Sequence, residues 1–361
     1  MRKIKLTISG VFVEIHTSNS ELVERLNGDF SEFLDSMSTD AADLTVFTHL
    51  KDIPEELLQA ASKGTLTKNA RVRDVSGIRY SDYGGEALCR LDFKSGRADV
   101  YSPLVHRLQE VVYLLVLSRV GKILDLRGLH RLHAMGVEFD GYSVLCTMPM
   151  GGGKTTLFLS LLQAFSKAKI ISDDSPLINR AGEVSPFPLR VGVKGNGNPQ
   201  EGELKNLNWQ KAYSLDRMQY GLKWLFPVSA FQNPVAKRPS AKIILMTGKK
   251  DSQSSVKIQR SSFFRLYKEV FVSLVIGVGL PIMREHFLEM TWRDGVKLAQ
   301  IFFSRLWTSW VLTWKSEKYF ITLSTDLSQN AKAVADLAAS LKRSRGIPLM
   351  LPEENLPRTS T

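Results

Sequence analysis

The run Met148-Pro149-Met150-Gly151-Gly152-Gly153-Lys154-Thr155-Thr156 follows the apolar stretch Val144-Leu145-Cys146-Thr147 and precedes Leu157-Phe158-Leu159. Strand, glycine-rich turn, Lys-Thr and apolar helix is the order of a phosphate-binding loop. Consecutive glycines let backbone N–H groups converge on phosphate oxygens with no side chain between them. The helix that follows adds its positive N-terminal end. In that role Gly151, Gly152, Gly153, Lys154, Thr155 and Thr156 bind the phosphates of a nucleoside triphosphate. Lys154 neutralises the β- and γ-phosphates and the Thr155 hydroxyl ligates Mg2+. The first glycine of the strict motif is replaced here by Met148.

Two further groups stand at useful spacing. Ile170-Ile171-Ser172-Asp173-Asp174 places an Asp pair 19 and 20 residues after Lys154. In a β–α–β unit both carboxylates fall at the C-terminal end of the neighbouring strand, beside the loop. One can hold Mg2+ through water and the other can take a proton from an attacking hydroxyl. The same pair before Ser175-Pro176 also reads as a turn. Upstream, Leu129-His130-Arg131-Leu132-His133-Ala134 puts His130 and His133 on one helical face. With no third ligand in view, that pair alone reads as structural rather than as a metal site.

Taken together, these residues resemble the catalytic domain of HPr kinase/phosphorylase and its relatives, of the kind found in bacterial peptide-modification gene clusters. The resemblance covers Leu129 to Leu189, including Leu132-His133-Ala134 and Pro186-Phe187-Pro188. His133 lies 21 residues before Lys154, and Gly141 ends the turn between them. The Asp pair stands two residues later than in the family. The resemblance implies a phosphoenolpyruvate-carboxykinase-like fold, ATP and Mg2+ as cofactors, and His133 in the active site. It implies Asp173 as the base and Asp174, with Thr155, at the metal. The implied reaction moves the γ-phosphoryl group of ATP to a hydroxyl of a protein, peptide or small molecule, with a protein or peptide acceptor preferred. The family's glutamate-containing signature downstream of the Asp pair has no counterpart, so HPr itself is not implied. Arg190, Lys194 and Arg238 are candidates for extra phosphate or substrate contacts. The competing reading is a nucleotide-binding assembly or regulatory module without phosphotransfer. A decarboxylating carboxykinase needs a Lys/His/Asp metal set that the sequence does not offer.

The elements that must position these groups divide into a small N-terminal α+β domain, residues 1–102, and an α/β nucleotide-binding domain, 103–346, with a loose tail at 347–361. Lys3–Ile8, Val11–Ile15, Asp43–Leu50, Ala87–Phe93 and Ala98–Tyr101 read as strands, and Ser20–Met37 has helical spacing. Pro103 opens a helix to about Val120, with Gly121 as its stop. Thereafter strands at 137–139, 143–147, 169–172, 242–246 and 319–324 alternate with helices at 155–165, within 261–314 and at 329–343. The Pro/Gly-rich stretch Pro186–Gly202 reads as irregular.

Composition excludes several classes. Val270–Met283 is an apolar run of 14 residues, short of the ~18 that span a membrane, and reads as a buried segment. Leu6 to Val13 alternates like a strand, which argues against a signal peptide. Cys89 and Cys146 suggest neither a disulfide framework nor a zinc site, so a reducing cytoplasm is expected. The net charge is +12, of which +8 arises between Lys237 and Lys268, where nine Lys or Arg face Asp251 alone. No helix-turn-helix, zinc-finger or RNA-binding signature accompanies this patch. A solvated basic face is therefore expected, and nucleic acid is disfavoured. A homo-oligomer is compatible with the sequence.

Overall fold

A computed structural model of the chain describes residues 1–149, 151–194, 212–217, 221–251, 255–289 and 291–344. Helices and strands mix throughout the described residues, which makes the chain α/β in the broad sense. β1 (Arg2–Ile8) and β2 (Val11–Thr17) form a hairpin around Ser9 and Gly10, both at positive φ. Their inward residues alternate strictly, Ile4, Leu6 and Ile8 against Val11, Val13 and Ile15, as a half-buried strand pair requires. α1 (Ser20–Asp29) starts where Asn19 accepts from the Leu22 amide. It ends eight residues before the expected Met37, because Asp29 is drawn into a buried contact with Gln109 and Arg190. Local periodicity cannot report such a contact.

There follow β3 (Leu44–Leu50), α2 (Glu55–Ser62), β4 (Thr65–Leu66), β5 (Arg71–Val75), β6 (Ile78–Asp82), β7 (Leu88–Asp92) and β8 (Arg97–Ser102). The eight strands make one mixed sheet in the order β1-β2-β3-β8-β7-β6-β5-β4. α3 (Val105–Leu126) lies on this sheet, with Leu108, Val112 and Leu115 in the same core as Ile15, Val46 and Val100. Gly121 does not stop it. A β-carbon there would lie 2.1 Å from the Arg131 Nη2, so the glycine serves the close passage of a buried guanidinium through the helix surface.

The remaining elements are β9 (Leu129–Arg131), β10 (Met135–Phe139), β11 (Tyr142–Thr147), α4 (Lys154–Ala164), β12 (Lys169–Ser172), β13 (Leu177–Asn179), β14 (Val184–Ser185), β15 (Val191–Lys194), β16 (Tyr213–Arg217), β17 (Gly221–Phe226), β18 (Ile243–Lys250), β19 (Lys257–Arg260), α5 (Phe263–Val270), α6 (Arg284–Phe287), α7 (Trp292–Lys315), β20 (Glu317–Leu323) and α8 (Leu327–Ser344). A six-stranded sheet runs β12-β10-β11-β18-β20-β19, with β11, β18 and β20 parallel at its centre. α4 and α8 cover one face through Leu157, Phe158, Leu161, Val334 and Ala338. α5, the π-helical turn Phe271–Ile276 and α7 cover the other through Leu266, Val270, Leu274 and Leu312. Burial on both faces explains why Ile243-Ile244-Leu245-Met246 is continuously apolar.

Several expectations change in detail. The described part of Pro186–Gly202 contains β15, and residues 195–202 lie outside the described residues, as does the tail at 347–361. Val270–Met283 is only half buried: Val270, Leu274, Val275 and Leu280 point inward while Val272, Ile276 and Val278 are exposed. The π-helical turn splits the run between two faces. Cys89 and Cys146 are free and buried, with both thiols pushed up by burial. Among the described residues no helix is long and apolar enough to cross a membrane.

α6 is tied to the eight-stranded sheet. Arg79 donates to the Glu285 carbonyl at 2.8 Å, and the Tyr83 hydroxyl lies 2.7 Å from His286 Nε2. Burial, with Arg119 and Arg79 nearby, pushes the His286 imidazole down to about 3. Unfolded histidine titrates near ~6.5. Protonation therefore favours the unfolded chain, and stability falls as pH drops from ~6.5 toward the folded value, by up to about 1.4 kcal/mol per pH unit. His286→Gln keeps an acceptor for Tyr83 without a titrating ring. Urea unfolding between neutral pH and about pH 5 should show a shallower loss of stability in this variant. Identical pH slopes in the two proteins would refute the assignment.

Candidate active site

Four segments meet at one end of the six-stranded sheet. β11 and β12 are not adjacent, as a simple β–α–β unit would make them. β10 lies between and antiparallel to both. The insertion preserves the outcome: β11 and β12 run the same way, so Thr147 and Ser172 end on the same edge, where β10 begins. The β10–β11 hairpin turns through Asp140 and Gly141, both at positive φ. Gly141 thus allows the two-residue turn that brings the approach to β10 back beside the glycine loop.

In that loop Gly151 and Gly153 adopt φ +79° and +101°, a region that favours glycine. A β-carbon on Gly152 would lie 2.9 Å from the Met148 Cβ. All three glycines are therefore required by the backbone. Met148 needs no glycine: its φ is not positive, and its side chain is buried with Cys146 and Leu157 in the core beneath the loop. The apolar first half of the loop anchors it. Met150 lies outside the described residues. α4 starts immediately at Lys154, leaving the first-turn amides without intrahelical acceptors, as at every helix start. Lys154 Nζ folds back to donate to the Met148 carbonyl at 2.6 Å. Burial lowers its pKa, against the opposing pull of Asp174, Cys146 and Asp173. Thr155 and Thr156 are half-buried in the same turn.

The Asp pair is held by its own strand end, where the Ser172 hydroxyl accepts from the Asp174 and Ser175 amides at 3.4 and 3.0 Å. Asp173 is buried and Asp174 half-buried. The Thr155 hydroxyl faces Asp173 Oδ2 at 3.4 Å, while Asp173 Oδ1 is buried with no hydrogen-bond partner. Burial, then the neighbouring Asp174 charge, push the Asp173 carboxyl up to about 7. Asp174 moves the opposite way. Burial opposes its charge, but His133, Lys154 and Lys223 prevail and hold it below the usual carboxylate range. The two neighbouring carboxylates thus shift in opposite directions, Asp173 toward the neutral form and Asp174 toward the charged one.

His133 is not helical, and it does not share a face with His130. It lies between β9 and β10, pinned by Leu132 N–H to the Pro176 carbonyl (3.0 Å) and by its own N–H to the Ser273 carbonyl (3.2 Å). The second bond comes from the π-helical turn, a device frequent at functional sites. Gly279, at φ +89°, lies flat on the imidazole, and a β-carbon there would meet Nε2 at 2.4 Å. Nδ1 is 2.8 Å from Asp174 Oδ1, a polar contact too oblique for a straight hydrogen bond. His130 is structural. It bonds Asp125 and Ser304 at 2.8 Å each, in a buried network closed by a bidentate Arg305–Asp125 pair.

A cavity of about 80 Å3 opens beside the carboxylates, lined among others by Asp173, Asp174, Glu110, Arg190 and Lys223. Among the described residues Gly151 to Thr155 are not part of its wall, whereas Asp173, which faces the Thr155 hydroxyl, is. Arg190 is committed to Asp29 at 2.7 Å and stacks over Tyr113 at 3.7 Å. Asp29 in turn takes the Tyr213 hydroxyl and Gln109. Arg238 is exposed, with the other eight basic residues of the 237–268 patch, away from this cavity wall. The Lys194 side chain lies outside the described residues. Lys223 is the group that sequence reading missed. It crosses Gly192 so closely that a β-carbon there would lie 2.5 Å from its Nζ, and its charge acts on both aspartates. It comes into place through the β15–β17 pairing, for which no local sequence signal exists.

Thr155, Asp174 and Lys154 are the residues at this end of the sheet that could hold a metal or a phosphate. Among the described residues no three His, Cys, Asp or Glu converge to hold a metal. One hydroxyl, one ionised carboxylate and a lysine at a helix start leave the remaining ligands to phosphates and water, as Mg2+ prefers. Comparison with known protein families and with curated proteins finds no match to this chain.

Proposed function

We propose that the chain is an ATP-dependent phosphotransferase of the HPr-kinase-like, phosphoenolpyruvate-carboxykinase-like class, acting on a hydroxyl of a protein or peptide. The observation that carries this reading is the position of Asp173. One of its oxygens faces the loop hydroxyl of Thr155, the other is buried with no hydrogen-bond partner, and the residue lines a cavity whose described wall does not include Gly151 to Thr155. A group needed only for nucleotide binding has no reason to keep such an oxygen bare, since an unmet buried acceptor costs ~1–3 kcal/mol. In this reading the glycine loop and Lys154 hold the triphosphate, with Lys154 leaving the Met148 carbonyl for phosphate oxygen. Thr155 and Asp174 would hold Mg2+, which would neutralise charge on the phosphates. Asp173 accepts the hydroxyl proton as the acceptor oxygen bonds the γ-phosphorus and the bond to the β-phosphate oxygen breaks, releasing ADP. His133 orients Asp174. Lys223 offsets the two carboxylate charges and faces the incoming acceptor.

The test is transfer of label from γ-labelled ATP to proteins and peptides encoded beside the gene, with Lys154→Ala as the blank. Acceptor labelling by wild type alone is the expected result. Mg-ATP binding without labelling of any of them would replace the kinase by a nucleotide-binding module.

A further inference from the structure

The exposed aromatic side chains of this protein gather on α5 and α7. Phe264, Trp292, Phe303, Trp307, Trp310 and Trp314 are between 44% and 77% exposed, and they include four of the six tryptophans of the chain. At ~100° per residue, Trp292, Phe303, Trp307, Trp310 and Trp314 fall within about 60° of one another on α7. α5 widens this stripe on one side: Phe263 packs on Trp310 at 4.8 Å and on Phe264 at 5.5 Å, and Tyr267 packs on Trp310 at 5.6 Å. Arg305, bidentate on buried Asp125, holds the opposite side of α7 to the core, so the rings cannot turn inward. Aromatic side chains carry ~150–250 Å2 each. At their exposures the six rings present roughly 600–1,000 Å2, more than the ~300–600 Å2 of the largest apolar patch on a typical monomer. A surface of that size marks a docking face.

We infer that this face docks on a membrane surface rich in anionic lipid, with α7 lying in the headgroup layer. Charge selects that occupant. Among the described residues from 261 to 315, every fully exposed charged side chain is basic: Arg265, Lys268, Arg284, Arg293 and Lys315. The acidic groups of the same segment are withdrawn. Asp294 is buried on Lys122, Glu285 is buried, Glu289 is taken by Lys122 and Lys297 at 3.2 Å each, and Glu269 is half-buried. The basic groups also stand on both sides of the aromatic stripe. Arg293 and, further round, Lys297 and Lys315 follow Trp307 by about 40–80° on the helix surface. On that side exposed Arg180 shares a recess with Phe303 and Trp307. On the other side α5 carries Arg265 and Lys268. An apolar, aromatic face bordered by Lys and Arg is the pattern of a helix that lies in a membrane interface. Tryptophan suits that depth, because its ring is apolar and its N–H remains within reach of the headgroups. Anionic headgroups attract each basic side chain near the surface. Pairing of two copies would instead bring flanks of like charge together. Among the described residues no helix is long and apolar enough to cross a membrane, so the contact is one of lying on it.

The experiment is flotation of the full chain with vesicles of phosphatidylcholine alone and of phosphatidylcholine with roughly one-third phosphatidylglycerol. Wild type is expected to bind the anionic vesicles at least ~10-fold more tightly than the neutral ones, and to loosen as salt is raised. Its tryptophan emission should shift to the blue and be quenched by brominated acyl chains. Phe303→Ser combined with Trp307→Ser changes two exposed side chains; it should leave thermal unfolding unchanged and weaken binding to anionic vesicles by ~10-fold or more. Lys268→Gln combined with Arg293→Gln should weaken that binding by roughly 20- to 30-fold, at about fivefold per charge, and leave binding to neutral vesicles unchanged. Met37→Ser is the control. Met37 is 86% exposed and lies near β1, at the opposite edge of the eight-stranded sheet from β4, and its variant should bind as wild type does. Wild type that stays in the soluble fraction at low salt overturns the proposal; if it then sediments as an oligomer that the double serine variant dissociates, the face belongs to a protein partner. Equal binding to the two kinds of vesicle overturns it too, as does flotation that survives the double serine variant.

Discussion

Asp173→Asn is expected to bind Mg-ATP within a few-fold of wild type and to lose roughly 10²–10⁴ in phosphoryl transfer. The substitution keeps the shape of the side chain and an oxygen for Thr155, and removes only the proton acceptor. Binding draws on the glycine loop, Lys154 and the metal ligands, none of which changes. Transfer needs the hydroxyl proton to leave as the new P–O bond forms, and Asp173 is the carboxylate that borders both the loop and the cavity. Asp174→Asn separates the two roles. Asp174 is held ionised by His133, Lys154 and Lys223, and losing that charge should weaken Mg2+-dependent binding itself. Calorimetric titration of Mg-ATP together with single-turnover labelling of an acceptor distinguishes the variants. An Asp173→Asn enzyme that transfers phosphate at the wild-type rate would remove Asp173 as the base. An equal loss of binding in both variants would make the pair a single metal site.

Lys154→Ala is expected to weaken Mg-ATP by roughly ten- to a hundredfold, the equivalent of about 1.5–3 kcal/mol for a lost charge-assisted contact. The lysine leads the first turn of α4, beyond glycines whose backbone angles or spacing admit no side chain. In the present structure its ammonium is satisfied by the Met148 carbonyl. The nucleotide must therefore draw it away from an existing hydrogen bond, which places the expected effect within this range rather than above it. Removing the side chain leaves Met148 buried and the loop anchored, so the folded state should persist. Thermal unfolding without nucleotide should be close to wild type, with the stabilisation by added Mg-ATP largely lost. Equal affinities in the two proteins would end the assignment of Gly151–Thr155 as the phosphate cradle.

The parts of this protein that were legible in its sequence are those governed by short-range physics. The glycine loop is local: positive φ at Gly151 and Gly153 follows from residue type, and α4 from the apolar run after Thr155. The ends of β11 and β12, and hence the level at which Asp173 and Asp174 sit, followed from strand pattern in the same way. Strand periodicity also identified the β1–β2 and β10–β11 hairpins. What lay beyond the sequence depends on pairings between distant segments. The insertion of β10 between β11 and β12, the π-helical turn that grips His133, and the arrival of Lys223 beside the carboxylates arise from contacts across tens of residues. The opposite shifts of Asp173 and Asp174 belong to that class too, because two adjacent identical side chains differ only in burial and neighbours. So does the outward face of α7. Its apolar spacing is visible in the chain, but only the folded core, closed by Arg305 on Asp125, decides that the side bearing Arg305 is buried and the side bearing Trp292, Phe303 and Trp307 is exposed.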